Sequence, residues 1–291
     1  LTRSRVHRNP CKISTFAQRK HNSRIVTESS LLRYLNLVRN VRNWPDYFRH
    51  KQLKNFVPVK FVTRGIPITV SIPTLELYLV FKEIFLTDFY SVRTWIGKLP
   101  ENPVVVDVGA NAGYFDLLLL SQRPDARVFA YEPVERNVAL FRSTLAENPA
   151  ITPHTNIFHK AVTGRSIDEI AIYKESENEN SVTASVFSDF EKHNLQKVSV
   201  KAISLEQILW DNELDTVDFL KLDCEGSEYP ILYESPAEIW QKVRSIFMEV
   251  HDLDDNRRNF ASIRKFTESL GYSTTFQLAK NGCYALHATR K

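Results

Sequence analysis

The chain has 291 residues, 43% of them hydrophobic, and a formal net charge of +4, enough apolar material to bury one full domain plus an extension. Three cysteines, Cys11, Cys224 and Cys283, lie far apart with no C-x-x-C, which argues against a disulfide framework and a zinc ribbon and makes a reducing, cytoplasmic setting the simplest one. No run approaches the ~18–20 apolar residues of a membrane span, no signal peptide is visible, and the opening Leu1 suggests a chain trimmed from something longer.

Charge is unevenly placed along the chain. Residues 1–64 hold 15 Lys and Arg against only Glu28 and Asp46, leaving 23 basic and 32 acidic groups for the rest. The excess of positive charge therefore belongs to an arm, which can meet nucleic acid, anionic lipid, an acidic partner or the acidic body itself. Residues 1–28 are polar and aperiodic. Ser29 or Ser30 can cap a helix in which Leu31, Tyr34, Leu35, Val38 and Val41 follow helical spacing, ended by Trp44-Pro45. Lys60–Thr63 and Ile68–Ile72 flank Arg64-Gly65-Ile66-Pro67 as a hairpin would, and Glu76–Phe85 reads as a helix leading to Asp88-Phe89-Tyr90.

From Val92 onward strands alternate with helices. Residues 104–115 read VVVDVGANAGYF: an apolar strand ending at Asp107, a turn containing Gly109 and Gly113, then the apolar helical run Tyr114–Leu120. Ligands bind beyond the carboxyl ends of such buried strands, and glycines there let backbone pass close to a bound molecule. The D-x-G-x-x-x-G spacing is neither the dinucleotide fingerprint nor a P-loop. The next strand, Arg127–Tyr131, ends at Glu132, where α/β folds hydrogen-bond a ribose; a carboxylate there suits a diol and repels a 2′-phosphate. These pieces together point to a nucleoside-containing cofactor.

Further strands are expected at Asn156–Val162, Val217–Asp223, Ser245–His251, Tyr272–Gln277 and Tyr284–Thr289, with helices at Val134–Asn148, Leu205–Trp210, Tyr229–Val243 and Arg257–Leu270. Residues 168–200 break the alternation and read as an inserted antiparallel excursion, Ile170–Lys174, Val182–Phe187 and Lys197–Val200, with a polar loop at Glu175–Ser181. Residues 219–228, FLKLDCEGSE, form a second cluster of chemistry. Lys221 and Asp223 share one face at a strand's carboxyl end, and Glu225, Gly226 and Glu228 follow in the turn. Glu249 and His251 repeat the arrangement on the next strand. Burying such groups is costly unless they are paired or used, so buried ion pairs and a ligand site both remain open at this stage.

In this order, VVDVGANAGYF, YEPVERN (131–137), VSVKAISLEQIL (198–209) and KLDCEGSEYPIL (221–232) resemble the FkbM-like methyltransferases that use S-adenosyl-L-methionine (SAM). KLDCEGSE matches the family's K-x-D-x-E-G-x-E signature, and EIFLTDFY (83–90) resembles its lead-in. The likeness covers about residues 60–290, so residues 61–291 form the expected methyltransferase domain and 1–60 a basic, partly helical extension. The resemblance implies a class I, Rossmann-like mixed sheet of seven strands, helices on both faces and the last strand antiparallel. It also implies methyl transfer, usually to a hydroxyl of a sugar or glycan, polyketide or related small molecule. By the same resemblance Asp107, Gly109, Asn111 and Gly113 form the floor under the cofactor. Glu132, followed by Pro133, takes the ribose hydroxyls, Ala161 lies near adenine, and Tyr90 closes over the cofactor or is an ordinary core tyrosine.

A hydroxyl is a poor nucleophile at neutral pH, so a base or a metal should help. His251 is the first candidate base, with Asp223, Glu249, Lys221 and Glu225 around it. The alternative is Mg²⁺ or a similar hard cation on Asp223 and Glu249, joined by Glu225. A nucleic-acid methyltransferase working through the aromatic and basic arm is a weaker reading, since no N-P-P-[YW] motif follows the fourth strand and the acids there repel phosphate. A non-catalytic module on the same fold is disfavoured by the intact Asp107 and Glu132. The polar stretch around Ser181-Val182-Thr183 is expected to border the acceptor cleft, and peripheral membrane contact would fall to the arm.

Overall fold

The computed structural model describes residues 30–174, 184–185, 196–280 and 282–290. The chain opens with α1 (Ser30–Asn40) and α2 (Pro45–Lys51), the latter started by a proline whose missing N–H is no loss in the first turn. The hairpin follows as β1 (Val59–Val62) and β2 (Thr69–Ile72), paired Val62 to Thr69. Helix α3 (Leu75–Phe81), capped by the Thr74 side chain, runs into a π-helical turn, Lys82–Thr87, and then α4 (Val92–Trp95). The body is β3 (Val104–Val108), α5 (Tyr114–Gln122), β4 (Arg127–Tyr131), α6 (Glu135–Ala146), β5 (Thr155–Phe158), β6 (Ala161–Thr163), β7 (Glu169–Lys174), β8 (Ala184–Ser185), β9 (Gln196–Ser204), α7 (Leu205–Asp211), β10 (Phe219–Leu222), α8 (Glu228–Glu234), α9 (Ala237–Lys242), β11 (Ser245–His251), α10 (Phe260–Ser269), β12 (Tyr272–Lys280) and β13 (Cys283–Arg290).

Seven strands form the central sheet in the order β12-β13-β11-β10-β3-β4-β5. All neighbours from β11 to β5 are parallel, whereas β13 is antiparallel to both β11 and β12. This is the implied sheet, with its last strand reversed. Chain order turns round between β3 and β10, which leaves a crevice beyond their carboxyl ends.

Alternation along β3 sorts the two faces. Val105 packs in one apolar cluster with α5, α3, the hairpin and α1, and Val106 and Val108 pack in the other with α7 to α10. Helix α5 lies wholly inside the first cluster, so its sequence is apolar nearly all round. The arm's aromatic residues are largely spent on packing: Phe61 and Tyr47 are buried, and Tyr34, Tyr47 and Phe48 stack on one another.

Several sequence expectations shift. The buried face of α1 carries Asn36, Leu37, Asn40 and Val41, while Leu31 and Leu35 are exposed. The asparagines turn inward because they donate to free carbonyls of the π-helical turn, Asn36 Nδ2 to Leu86 O at 2.8 Å and Asn40 Nδ2 to Phe85 O at 2.7 Å. The strand expected over Asn156–Val162 breaks at His159-Lys160. Its second half, β6, leaves the main sheet to pair in parallel with β9, which itself pairs antiparallel with β7. The helix expected over Tyr229–Val243 is split by Ser235-Pro236 into α8 and α9. The polar loop at 175–181 and Ser181-Val182-Thr183 lie outside the described residues.

Asn40→Ala would leave the Phe85 carbonyl buried without its donor, so the variant should lose about 1–3 kcal/mol of stability in denaturant unfolding. An unchanged midpoint would show that α1 does not depend on this bond for its seat on the body.

Candidate active site

A cavity of about 580 Å³ lies beyond the carboxyl ends of β3, β4 and β10. One flank is Val108–Ala112 with Tyr131, Glu132 and Pro133, closed by Lys160, Ala161 and Val162. The other is Glu83, Tyr90, Asp223, Glu225 and Glu249. A second cavity of about 990 Å³ shares Leu79, Glu83, Glu225 and Glu249 with the first and continues to His251, Asp252 and Cys283. Both volumes are in the range of small-ligand sites.

The turn after β3 is held against β4. Gly109 N and Ala110 N donate to Tyr131 O at 2.9 and 3.1 Å, and Asn111 N donates to Glu132 Oε2 at 2.8 Å. Glu132 Oε1 also accepts from Val134 N at 2.9 Å and from Asn137 Nδ2 at 3.3 Å. Three of the roughly four acceptor directions of this carboxylate are therefore taken within the protein, leaving room for about one hydroxyl rather than a full two-oxygen grip on a diol. Burial raises the Glu132 carboxyl to about 7, although Val134, Asn111 and Asn137 pull it down. The glycines also have a reason different from the expected one. A Cβ on Gly109 would sit 1.8 Å from Asp223 O, and one on Gly113 would strike the Phe141 ring at 2.3 Å, so protein atoms fill the space that a ligand was expected to need.

Lys221 stands opposite Asp107 in the β10–β3 register and is fully buried with it. Its Nζ lies 2.8 Å from Asp107 Oδ1, donates to Gly109 O at 3.0 Å, and is 3.8 Å from Asp223 Oδ2. Burial alone would strip its proton, but Asp107, Asp223 and Asp116 outweigh this and keep the ammonium well above the ordinary lysine range. Asp116, one turn into α5, is buried beside Asp107; burial and that neighbouring charge push its carboxyl well above the usual aspartate range. Burial raises the Asp107 carboxyl too, against the downward pull of the Lys221 ammonium in contact with it. Lys221 thus serves the strand ends from below and is not free to meet an acceptor.

Asp223 accepts from Tyr90 OH at 2.5 Å. Tyr90 packs its ring edge-on against Phe115 and Phe247, as a core tyrosine does, and it also lines the cavity. Glu228 is wholly buried, and its two oxygens accept from Cys224 N at 2.9 Å and Gly226 N at 2.8 Å. Burial raises it to about 7 against the pull of those amides. Of six ionisable groups expected to converge, Glu228 turns into the protein, Lys221 lines the first cavity from its buried pairing with Asp107, and Asp223, Glu225, Glu249 and His251 face the cavities.

His251 Nε2 lies 3.5 Å from Glu249 Oε1 and 3.9 Å from Glu225 Oε2. Cys283 Sγ donates to Glu249 Oε1 at 3.0 Å. Burial, then Asp223 and Glu225, push the Glu249 carboxyl well up, and burial with Glu249 does the same to the Cys283 thiol. Among the described residues, the His, Cys and acidic side chains whose ligand atoms gather are Glu249, His251 and Cys283, all within 4.8 Å of one another. The three carboxylates expected around a hard cation, Asp223, Glu249 and Glu225, do not gather as closely among the described residues, although Asp223 and Glu249 are neighbours and Asp223 Oδ2 accepts from Tyr90 OH. Sequence reading missed Cys283, which is set opposite His251 only by strand register, and Glu83, which reaches the cavity from the π-helical turn. It also missed Asp116, although an aspartate inside the run YFDLLLL is itself a signal.

The sequence profile described as the methyltransferase FkbM domain matches residues 107–274, more than half of the chain. The chain belongs to the FkbM methyltransferase family. Methyltransferase sdnD of Sordaria araneosa is 27% identical over 233 residues, covering 70% of this chain and 85% of that protein. The 31-O-demethyl-FK506 methyltransferase FkbM of Streptomyces tacrolimicus is 24% identical over 213 residues, covering 62% of this chain and 76% of that one. Among solved structures, the magnesium protoporphyrin IX methyltransferase of Synechocystis PCC 6803 with bound SAM is 15% identical at a TM-score of 0.40, covering 72% of this chain and 84% of that chain. Membership in the FkbM family implies methyl transfer from SAM on a class I sheet. No described helix is long and apolar enough to cross a membrane.

The buried acids set the sign of a pH effect. Glu132, Glu228 and Asp116 hold protons in the folded chain where the unfolded chain has already released them, so stability should fall as pH rises from about 4.5 through 7. His287, kept below its ordinary 6.5 by burial, acts in the opposite direction but is a single group. The thermal midpoint should be lower at about pH 8 than at about pH 5.5, and Asp116→Asn should narrow that gap. An unaltered gap in the variant would show that Asp116 is not a source of it.

Proposed function

We propose that this FkbM-family protein transfers the methyl group of SAM to a hydroxyl oxygen of a small hydroxylated acceptor, such as a sugar, a glycan or a polyketide. The observation that carries the reading is the meeting of two cavities over Glu225 and Glu249, one lined by Val108–Ala112 and Glu132, with Asp107 and Gly113 behind that lining, the other holding His251. The name of the Streptomyces relative places its methyl group on an oxygen of FK506, which supports oxygen as the acceptor atom.

When bound, SAM supplies an electrophilic methyl group on a sulfonium. The chain's own contribution begins with position. Val108–Ala112, Tyr131–Pro133 and Ala161 frame the donor's side, where Glu132 still has a direction open to a ribose hydroxyl. Glu83, Glu225 and Glu249 form the wall at which the donor and acceptor cavities adjoin, and on the donor side of it the hydrogen bond from Tyr90 OH fixes Asp223. Alignment of an acceptor oxygen along that wall is worth several kcal/mol of barrier by proximity alone. His251 then takes the hydroxyl proton at Nε2, with Glu225 Oε2 3.9 Å away to stabilise the imidazolium that results and Glu249 Oε1 at 3.5 Å.

Calorimetric titration with S-adenosylhomocysteine should give roughly micromolar binding that weakens at least about tenfold in Glu132→Ala. No binding by the folded wild type would overturn the cofactor assignment. His251→Ala should keep that affinity while methyl transfer to a hydroxylated acceptor slows by about 10²–10⁴-fold. Turnover at the wild-type rate would remove His251 from the mechanism.

A further inference from the structure

We propose that Glu249, His251 and Cys283 form a site for one divalent ion of the zinc class, bound by three protein ligands with its fourth position open to the acceptor cavity. The inference shares that cavity with the proposed function but gives His251 a different task. Glu249 and His251 are alternate residues of β11, so their side chains leave the same face, and Cys283 of β13 stands directly across from His251 in the antiparallel register. Three ligands thus come from two hydrogen-bonded strands, which hold side chains more precisely than loops do. Tyr229 OH pins the strand end by donating to His251 O at 2.7 Å, and Asp252 N donates to Gly282 O at 2.8 Å beside Cys283.

The spacing suits a small tetrahedral ion. Zinc bonds of about 2.0–2.3 Å put neighbouring ligand atoms roughly 3.3–3.7 Å apart. The observed separations are 3.5 Å for His251 Nε2 to Glu249 Oε1 and 3.0 Å for Cys283 Sγ to Glu249 Oε1, with all three atoms inside 4.8 Å. One sulfur, one imidazole and one carboxylate form a borderline-soft set, which favours zinc and disfavours the hard Mg²⁺. Cys283 is buried, His251 and Glu249 are partly open to the larger cavity, and Glu225 stands 3.9 Å from His251 Nε2, so an ion has both a route in and a further negative group nearby. A hydroxyl at the open position would be acidified by the ion, and His251, occupied at Nε2, would no longer be the proton acceptor.

Metal analysis of the full chain loaded with Zn²⁺ and dialysed should find about one ion per chain, and loading with Co²⁺ should give thiolate-to-cobalt absorption in the near ultraviolet. Cys283→Ser should abolish that absorption, and His251→Gln should weaken cobalt binding about tenfold or more. S-adenosylhomocysteine titration of each variant checks folding independently of the metal. If Cys283→Ser does not fold, His251→Gln carries the test. Wild type that binds S-adenosylhomocysteine but takes up no ion, or a cobalt spectrum unchanged by these substitutions, would overturn the site and leave His251 as the base. Metal uptake without S-adenosylhomocysteine binding would instead support the site and count against the donor assignment.

Discussion

The arrangement of this candidate active site depends on a buried ion pair. Lys221 and Asp107 meet at 2.8 Å across the β10–β3 boundary, where the order of strands reverses and the crevice opens. Taking two charges out of water is expensive, and well-packed apolar side chains in their place are often as stable or more so. The pair therefore has little claim as a source of net stability. What it does is positional. The same ammonium donates to Gly109 O and draws Asp223 to 3.8 Å, tying the turn after β3 and the cavity wall at the end of β10 to one fixed point. Loss of either partner would strand a buried charge, at a cost of about 3–5 kcal/mol.

The period-two geometry of strands explains why so many functional groups share one side of the sheet. Asp107 on β3, Lys221 on β10, Phe247, Glu249 and His251 on β11, and Cys283 and Ala285 on β13 are linked by register or by alternation, and their apolar members belong to the cluster on the α5 side. A slip of one residue in any of these strands would send its contribution to the opposite face. The N-terminal elements cover this same face. Helix α3 and the π-helical turn bring Leu79, Glu83 and Tyr90 over the crevice, and α1 braces the turn through Asn36 and Asn40. The residues ahead of the matched family region are thereby part of the wall of the site.

The sheet was largely legible in the sequence, because buried parallel strands such as Val104–Val108 and Arg127–Tyr131 are continuous apolar runs, and their boundaries were found to within a residue. The signature at 221–228 likewise marked the site. What stayed hidden was decided by tertiary pairing. The outward turn of Leu31 and Leu35 follows from carbonyls 45 to 50 residues away, freed by an irregular helical turn that no periodicity announces. The departure of β6 from the sheet depends on β9, some 40 residues later. Cys283 looked inert from its spacing and joins the cluster only through the β11–β13 register.

The K-x-D-x-E-G-x-E signature contains four charged positions, and the structure gives each a separate reason to be charged. Lys221 faces the core and joins the strands, and Asp223, on the same face but at the strand end, receives Tyr90. Glu225 then enters the cavity from a left-handed backbone, φ 52°, followed by Gly226 at 101°. A side-chain-bearing residue in that region carries about 1–3 kcal/mol of strain. The compensation is Glu228, which folds back under the turn and accepts from Cys224 N and Gly226 N; such bonds contribute about 0.5–1.5 kcal/mol each. The last glutamate therefore holds the middle one in a conformation it would not keep alone.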